Sequence, residues 1–129
     1  MKEWFIKLGL ASLAALAPIQ AILITVGILI IADLLTGILA AMKRNEKISS
    51  AAMRRTISKM FVYQLTVICG FLLETYLMGG IIPVTKIAAS VIGMVEFKSM
   101  LENANSIIGE NIFKIILHKL GSDNDSKKE

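Results

Sequence analysis

The chain has little of the side-chain chemistry on which enzymes and metal sites depend. Its 129 residues include one cysteine, Cys69, and one histidine, His118. A lone cysteine in an apolar run forms no intrachain disulfide and is typical of a small buried side chain. A lone histidine makes neither a zinc site nor a nucleophile–base pair. Phosphate-binding loops and Rossmann glycine patterns are also missing. We therefore expect no enzyme, no metal and no cofactor.

Water-soluble composition is missing as well. Hydrophobic residues make up 55% of the chain before glycine is counted, and the mean hydropathy is +0.69. A soluble domain is nearer ~45–50% with glycine included. A small domain has too much surface to bury that excess. We therefore predict an all-α integral membrane protein with a single membrane domain over residues 1–120.

Proline is scarce, and Pro18 divides the first apolar stretch. Residues 8–42 would make a helix of about 50 Å, whereas the bilayer core is about 30 Å thick. Proline disfavours helix in the residue before it, so the stretch separates into residues 1–17 and a full span over 18–42. Trp4 and Phe5 lie among charged residues near the start, which favours an interfacial helix for the first segment. Whether that segment crosses the membrane stays open.

A basic segment follows the first span. Residues 43–59 hold six basic side chains and one acidic one. A basic block between apolar segments is the positive-inside signature of a cytoplasmic loop. A nucleic-acid patch is disfavoured because the block is short and has no aromatic residue. The topology-determining residues are Lys43, Arg44, Lys47, Arg54, Arg55 and Lys59.

The rest of the chain predicts two more spans and a terminal helix. Ser49 or Ser50 can cap an amphipathic helix that runs directly into a span over 61–78. Gly79, Gly80 and Pro83 mark a turn before a third span over 84–100. Residues 101–120 form a C-terminal amphipathic helix, with Asn103, Ser106, Glu110, Lys114 and His118 on its polar face. Gly121 ends that helix, and residues 121–129 form a disordered polar tail.

Asp33 is the only ionisable residue between Leu8 and Met42. At the centre of a membrane helix a carboxylate costs roughly 2.5–3.5 kcal/mol. Thirteen Leu, Ile and Val residues between Ile19 and Met42 outweigh that cost. The helix can therefore insert, but Asp33 should face protein or water. It is the leading functional candidate.

Small residues lie close to Asp33 at helical spacing. Asp33, Gly37 and Ala41 form one ridge, and Thr36 and Ala40 lie on the neighbouring one. Small residues let helix backbones approach closely, so this face predicts helix packing or oligomerisation. Packing within one monomer and self-association are both open.

Two further polar residues lie within the predicted spans. Glu74 lies close to the exit of the second span and follows the same argument as Asp33. Lys86 lies near the start of the third span, where its side chain can reach the interface.

Three short motifs follow one another along the chain: Asp33-Leu34-Leu35-Thr36-Gly37, the serine-led segment Ser49–Met60, and Glu102-Asn103-Ala104-Asn105-Ser106-Ile107. In this order they resemble the toxin-secretion/phage-lysis holin family of Gram-positive phages and clostridia. The resemblance covers about residues 20–112. The chain departs from it at Ile107–Leu120, where family members often have a Gly/Pro-containing stretch.

The resemblance implies a multi-pass protein of the bacterial host's cytoplasmic membrane. Such a protein catalyses nothing, assembles with itself in the lipid bilayer, and opens lesions that release a cell-wall hydrolase or an exported toxin. Two other classes are open. One is a small proton-coupled transporter, which the 6% of aromatic residues disfavours. The other is a non-catalytic membrane anchor or scaffold that recruits a partner through residues 101–120.

Overall fold

The computed structural model describes residues 1–109 and 111–125, and every regular element in these ranges is helical. The helices are α1 (Lys2–Ala15), α2 (Gln20–Lys43), α3 (Ser50–Leu72), α4 (Val84–Ile108) and α5 (Ile112–Asp125). A 3₁₀ turn, Ala17–Ile19, precedes α2, and a π-helical turn, Leu73–Leu77, extends α3. The predicted all-α fold class is confirmed.

Pro18 separates α1 from α2, as the sequence predicted. Helix α1 ends at Ala15, and Pro18 lies within the 3₁₀ turn that leads into α2. None of the side chains of α1 is buried, and its main contact is with this turn. The rings of Trp4 and Phe5 pack edge to face, 5.2 Å apart. The N-terminal helix therefore stands apart from the helices that follow it.

The connection between α2 and α3 is shorter than the predicted basic loop over 43–59. Only residues 44–49 lie between the two helices, because α3 begins at Ser50. The side chain of Ser49 accepts a hydrogen bond from the backbone N–H of Ala52, which is the predicted serine cap. Most of the basic segment is therefore helical and continuous with the apolar part of α3.

The C-terminal region differs from the single helix predicted over 101–120. Residues 101–108 complete α4, and Gly109 ends it in the left-handed conformation with φ +78°. Helix α5 then begins at Ile112, where the side chains of Asn105 and Asn111 accept hydrogen bonds from first-turn backbone N–H groups. The sequence did not predict this break, because apolar residues recur at helical spacing on both sides of Gly109. Glu110, predicted on the polar face of that helix, lies outside the described residues.

The predicted end of the last helix is also corrected. Helix α5 runs through Gly121 to Asp125, so residues 121–125 are not a disordered tail. A glycine costs a helix only about 1 kcal/mol relative to alanine, which did not end this one. Residues 126–129 lie outside the described part of the chain.

Helices α2, α3 and α4 pack together, and α4 lies along α2 most extensively. Their small core is made of Ile19, Val26, Ile30, Val67 and Ile92. The opposite side of α2 exposes large apolar side chains at helical spacing: Ile24, Ile28, Ile31, Leu35 and Leu39. Soluble monomers rarely expose so continuous an apolar surface, whereas lipid accommodates it.

Two segments are long and apolar enough to cross a membrane: Ala17–Lys43 and Ser50–Leu77. Helix α4 is of similar length but carries Lys86, Glu96, Lys98 and Glu102. Of the three predicted transmembrane helices, two are therefore supported by length and composition. The turn after the second begins with Gly79 and Gly80, both at positive φ, as the glycine pair predicted.

Candidate functional site

The side chain of Asp33 points between the helices, away from the exposed apolar stripe of α2. Its Oδ2 atom lies 2.8 Å from Nζ of Lys59 on α3. The Asp33 side chain is 14% exposed. Ile31 and Leu35, two positions before and after Asp33, are exposed, whereas the one acidic side chain of α2 points inward. The sequence argument required this orientation.

Lys59 contacts a second carboxylate. Its Nζ atom lies 2.7 Å from Oε2 of Glu96 on α4, a side chain that is only 1% exposed. Asp33, Lys59 and Glu96 therefore form an ionic cluster that joins α2, α3 and α4. With every group ionised, the cluster carries two negative charges and one positive. Buried charges are tolerated where partners of opposite sign neutralise them, so Lys59 is the centre of this arrangement.

Asn103 completes the polar contacts between α2 and α4. Its Nδ2 atom lies 3.3 Å from Oδ1 of Asp33 and 3.2 Å from Oγ1 of Thr36. Glu96 and Asn103 are seven residues apart, which places them on the same face of α4, two turns from each other. Thr36 in turn donates to backbone carbonyls of its own helix. One face of α4 therefore contributes two residues to the surroundings of Asp33: Asn103 directly and Glu96 through Lys59.

The predicted small-residue face of α2 is covered by α4 of the same chain. A Cβ atom at Gly37 would lie 3.5 Å from Nδ2 of Asn103, and Ala40 is fully buried. Thr36 and Ala41 are partly buried. The sequence left open packing within one monomer and self-association, and the contacts of this face in the structure are of the first kind. Self-association through the face stays a prediction.

The two other polar residues predicted within the spans lie away from the cluster. Oε2 of Glu74 accepts a hydrogen bond of 2.9 Å from the backbone N–H of Thr85, in the first turn of α4. A carboxylate at this position accepts from a backbone N–H that has no partner within the helix, and the positive end of the helix dipole stabilises its charge. Lys86 is exposed. Glu74 therefore joins the start of the π-helical turn to the start of α4.

Among the basic residues, Lys43 and Arg44 contact the end of α4, which is the opposite end from Glu74. Lys43 donates to the carbonyl of Ile107, and Arg44 donates to Oγ of Ser106 at 2.7 Å. Arg44 also forms an ion pair with Glu46, with Nε and Nη2 at 2.8 and 3.0 Å from its carboxylate. This pairing lowers the pKa of Glu46 and raises that of Arg44. Arg54, Arg55 and Lys47 are exposed.

Glu96 and Asn103 were not predicted as site residues. Lys59 was predicted only as part of the basic segment. Their seven-residue spacing puts them on one face of α4, but the sequence does not say that this face meets α2. Across residues 1–109 and 111–125, no group of three histidine, cysteine, aspartate or glutamate side chains is placed to hold a metal ion.

Comparison with known proteins agrees with the motifs around this cluster. Comparisons with curated proteins and with solved structures give no significant match. Residues 12–122, which contain α2, α3, α4 and the whole ionic cluster, match the sequence model of the bacteriophage holin family. That match covers most of the 129 residues. The chain therefore belongs to the bacteriophage holin family, whose members are membrane proteins that permeabilise the cytoplasmic membrane in phage lysis.

Proposed function

We propose that this chain is a three-span holin that assembles with itself and releases a cell-wall hydrolase or an exported toxin through the cytoplasmic membrane. The observation that supports this most directly is the ionic cluster, hidden between three helices whose outer surface is apolar. A monomer built in this way is compatible with lipid. Its buried charged side chains could line a water-filled lesion once the helices separate.

The third span in this proposal is the first part of α4. An isolated helix with a carboxylate at Glu96 inserts poorly, since a central Asp or Glu is among the costliest residues in a membrane. Here Nζ of Lys59 lies 2.7 Å from that carboxylate. The charge that disqualifies α4 on its own is therefore compensated once α3 is beside it. Insertion of α3 and α4 as a pair follows from this.

Opening would consist of separating α4 from α2 and exposing the cluster to water. Charged groups become hydrated when a polar lumen forms, which removes the desolvation cost of the closed state. Association of several copies gives the separated faces a shared lumen in place of lipid. In this scheme Asp33, Thr36, Lys59, Glu96 and Asn103 line water in the assembled state. No catalytic step is involved, and the released protein supplies the hydrolytic activity.

The orientation follows from the charges. The basic connection and the first turns of α3 remain on the cytoplasmic side, so α2 runs inward, α3 runs outward, and α4 returns inward. Helix α1, with Trp4 and Phe5 at its start, lies at the membrane interface. Helix α5 is then cytoplasmic, and its apolar and polar residues suit the inner surface of the membrane.

Release of a large protein is the decisive measurement. The chain is induced in bacteria with and without a co-expressed cell-wall hydrolase, and turbidity is followed together with export of a folded cytoplasmic reporter. We expect abrupt clearing only when both proteins are present. The hydrolase alone and the chain alone are the controls.

Two other results would contradict the proposal. Leakage of ions or small solutes without reporter export would favour the transporter. Normal membrane accumulation with neither kind of leakage would favour an anchor or scaffold.

A further inference from the structure

A cavity of about 540 Å³ opens where the connection between α2 and α3 meets α4. Its polar wall includes Arg44, Lys47, Arg55 and Lys59, together with the carboxylates of Asp33 and Glu46. Its volume lies within the range of about 300–1,000 Å³ typical of small-ligand pockets. It adjoins the ionic cluster but extends from it towards the basic connection.

The charges of this cavity are not balanced. Four basic and two acidic side chains line it. Two of the basic ones are paired, Arg44 with Glu46 and Lys59 with Asp33. Lys47 and Arg55 form no ion pair or hydrogen bond within residues 1–109 and 111–125. Two cations are therefore available to an anion that enters the cavity.

The apolar wall of the cavity and its position in the membrane indicate which kind of anion fits. Leu34, Ile38 and Ile48 form an apolar side beside the charged one. In the proposed topology the cavity opens at the cytoplasmic ends of α2 and α3, at the level of lipid head groups, and extends inward to Asp33 and Lys59. Basic pockets between membrane helices on that side suit phosphate head groups, and the apolar wall suits the start of an acyl chain.

We propose that this cavity binds the phosphate head group of an anionic phospholipid from the cytoplasmic leaflet, with Arg55 and Lys47 as the principal contacts. The proposal rests on the proposed topology. A lipid held there contacts α2, α3 and α4 together, beside Asp33 and Asn103. Binding therefore links the composition of the inner leaflet to the packing of the three helices that enclose the ionic cluster.

Binding is tested with the full-length protein purified in a neutral detergent, titrated with phosphatidylglycerol and, separately, with phosphatidylcholine. Arg55→Gln removes one cavity cation. Arg54→Gln is the matched control, because it removes the same charge from the adjacent residue, which does not line the cavity. We expect phosphatidylglycerol to bind more tightly than phosphatidylcholine. Arg55→Gln should weaken binding of phosphatidylglycerol about fivefold, as one basic contact near a membrane surface contributes about 1 kcal/mol. Arg54→Gln should bind as the wild type does.

Three outcomes would overturn the proposal. Equal losses in the two arginine variants would indicate diffuse attraction to a basic surface. Equal affinity for the two lipids would exclude recognition of the anionic head group. Displacement of phosphatidylglycerol by inorganic phosphate at equal concentration would assign the cavity to a soluble phosphate. Each outcome leaves the reporter-release result unaffected, so failure here is distinct from failure of the proposed function.

Discussion

Lys59 joins the three helices through two ion pairs. It is the one cation between the carboxylates of Asp33 and Glu96, and its Nζ lies within 2.8 Å of both. Removing one partner from a buried ion pair leaves an uncompensated charge, which is costlier than losing an exposed pair. Here its loss leaves the carboxylates of Asp33 and Glu96 without the cation that pairs with both.

We predict that Lys59→Met lowers the free energy of unfolding by about 3–5 kcal/mol. Lys98→Met is the control, since Lys98 is 78% exposed and pairs with Glu102 on the surface of α4. That variant should change stability by less than about 1 kcal/mol. Thermal unfolding in detergent measures both. Equal stability of the two variants would show that Lys59 neutralises nothing of consequence.

Asp33→Asn has the opposite effect on the charge of the cluster. It leaves Lys59 paired with Glu96 alone, so one positive and one negative charge remain. Asparagine keeps the shape and the polar contact with Asn103. We predict normal membrane accumulation and delayed release of a cytoplasmic reporter, because the closed packing is better neutralised. Asp33→Leu also loses the polar contact and should be the more defective variant.

Glu102→Gln is the matched control for Asp33→Asn, because it neutralises an exposed carboxylate that pairs only with Lys98. It should release the reporter on the wild-type schedule. If Asp33→Asn and Asp33→Leu also follow that schedule at wild-type protein levels, Asp33 is a tolerated structural residue and not a site.

The sequence could predict one member of this cluster but not its partners. Asp33 was recognisable because a single carboxylate in a run of apolar residues has to face inward. A cation of the basic segment, Lys86 and water were all possible partners from the sequence, because distance along the chain does not say which turn of α3 faces α2. Glu96 and Asn103 depend on the rotation of α4. That rotation is decided by packing against α2 and not by the weak periodicity of α4 itself.

At the level of helices, the close approach of α2 and α4 depends on small side chains. Gly37 faces Asn103, and Gly93 faces Leu29, each with little more than van der Waals distance for an added carbon. Large side chains on this face would separate the helices and carry Asp33 away from its partners. The outer face of α2 has no such constraint.

We predict that Gly37→Leu lowers the free energy of unfolding by about 1–3 kcal/mol, the usual cost of overpacking. Leu39→Ala is the comparison on the same helix, because Leu39 is exposed on the apolar side. It should leave the thermal unfolding of the monomer nearly unchanged. Crosslinking yield in membranes, measured on the same pair, tests self-association separately. Equal stability of the two variants would mean that this face does not pack against α4.

Helix boundaries followed from local chemistry wherever a residue had a strong backbone preference. Pro18, the Ser49 cap and the Gly79–Gly80 turn all lie where the sequence placed them. The break at Gly109 was missed because apolar residues keep helical spacing on both sides of it. A glycine within such a pattern can continue a helix or end it. Gly109 ends α4, whereas α5 continues through Gly121.

For the whole molecule, the distribution of charge separates the two ends of the helices. Lys43, Arg44 and Lys47 lie around the connection of α2 to α3, and residues 79–83 at the other end carry no charge. This asymmetry predicts that the connection is cytoplasmic and the turn is outside. It does not say whether α4 crosses the membrane, which decides the side on which α5 lies.

Labelling of single cysteines resolves both questions. In a Cys69→Ser background, we predict that an impermeant maleimide added to intact spheroplasts before lysis labels Ile81→Cys and leaves Lys47→Cys and Lys114→Cys unlabelled. Ile81 is 85% exposed in the turn, and the two lysines are exposed in the connection and in α5. After permeabilisation all three should react, and an endogenous cytoplasmic thiol protein reports whether the membrane was intact beforehand.

Labelling of Lys114→Cys from outside would mean two spans, with α4 lying along the outer side. Labelling of Lys47→Cys would reverse the orientation and remove the anionic-lipid cavity from the cytoplasmic leaflet. Protection of Lys114→Cys is the expected result, because α4 can cross only while Lys59 neutralises Glu96. Lys59→Met should therefore be the variant in which that protection is lost.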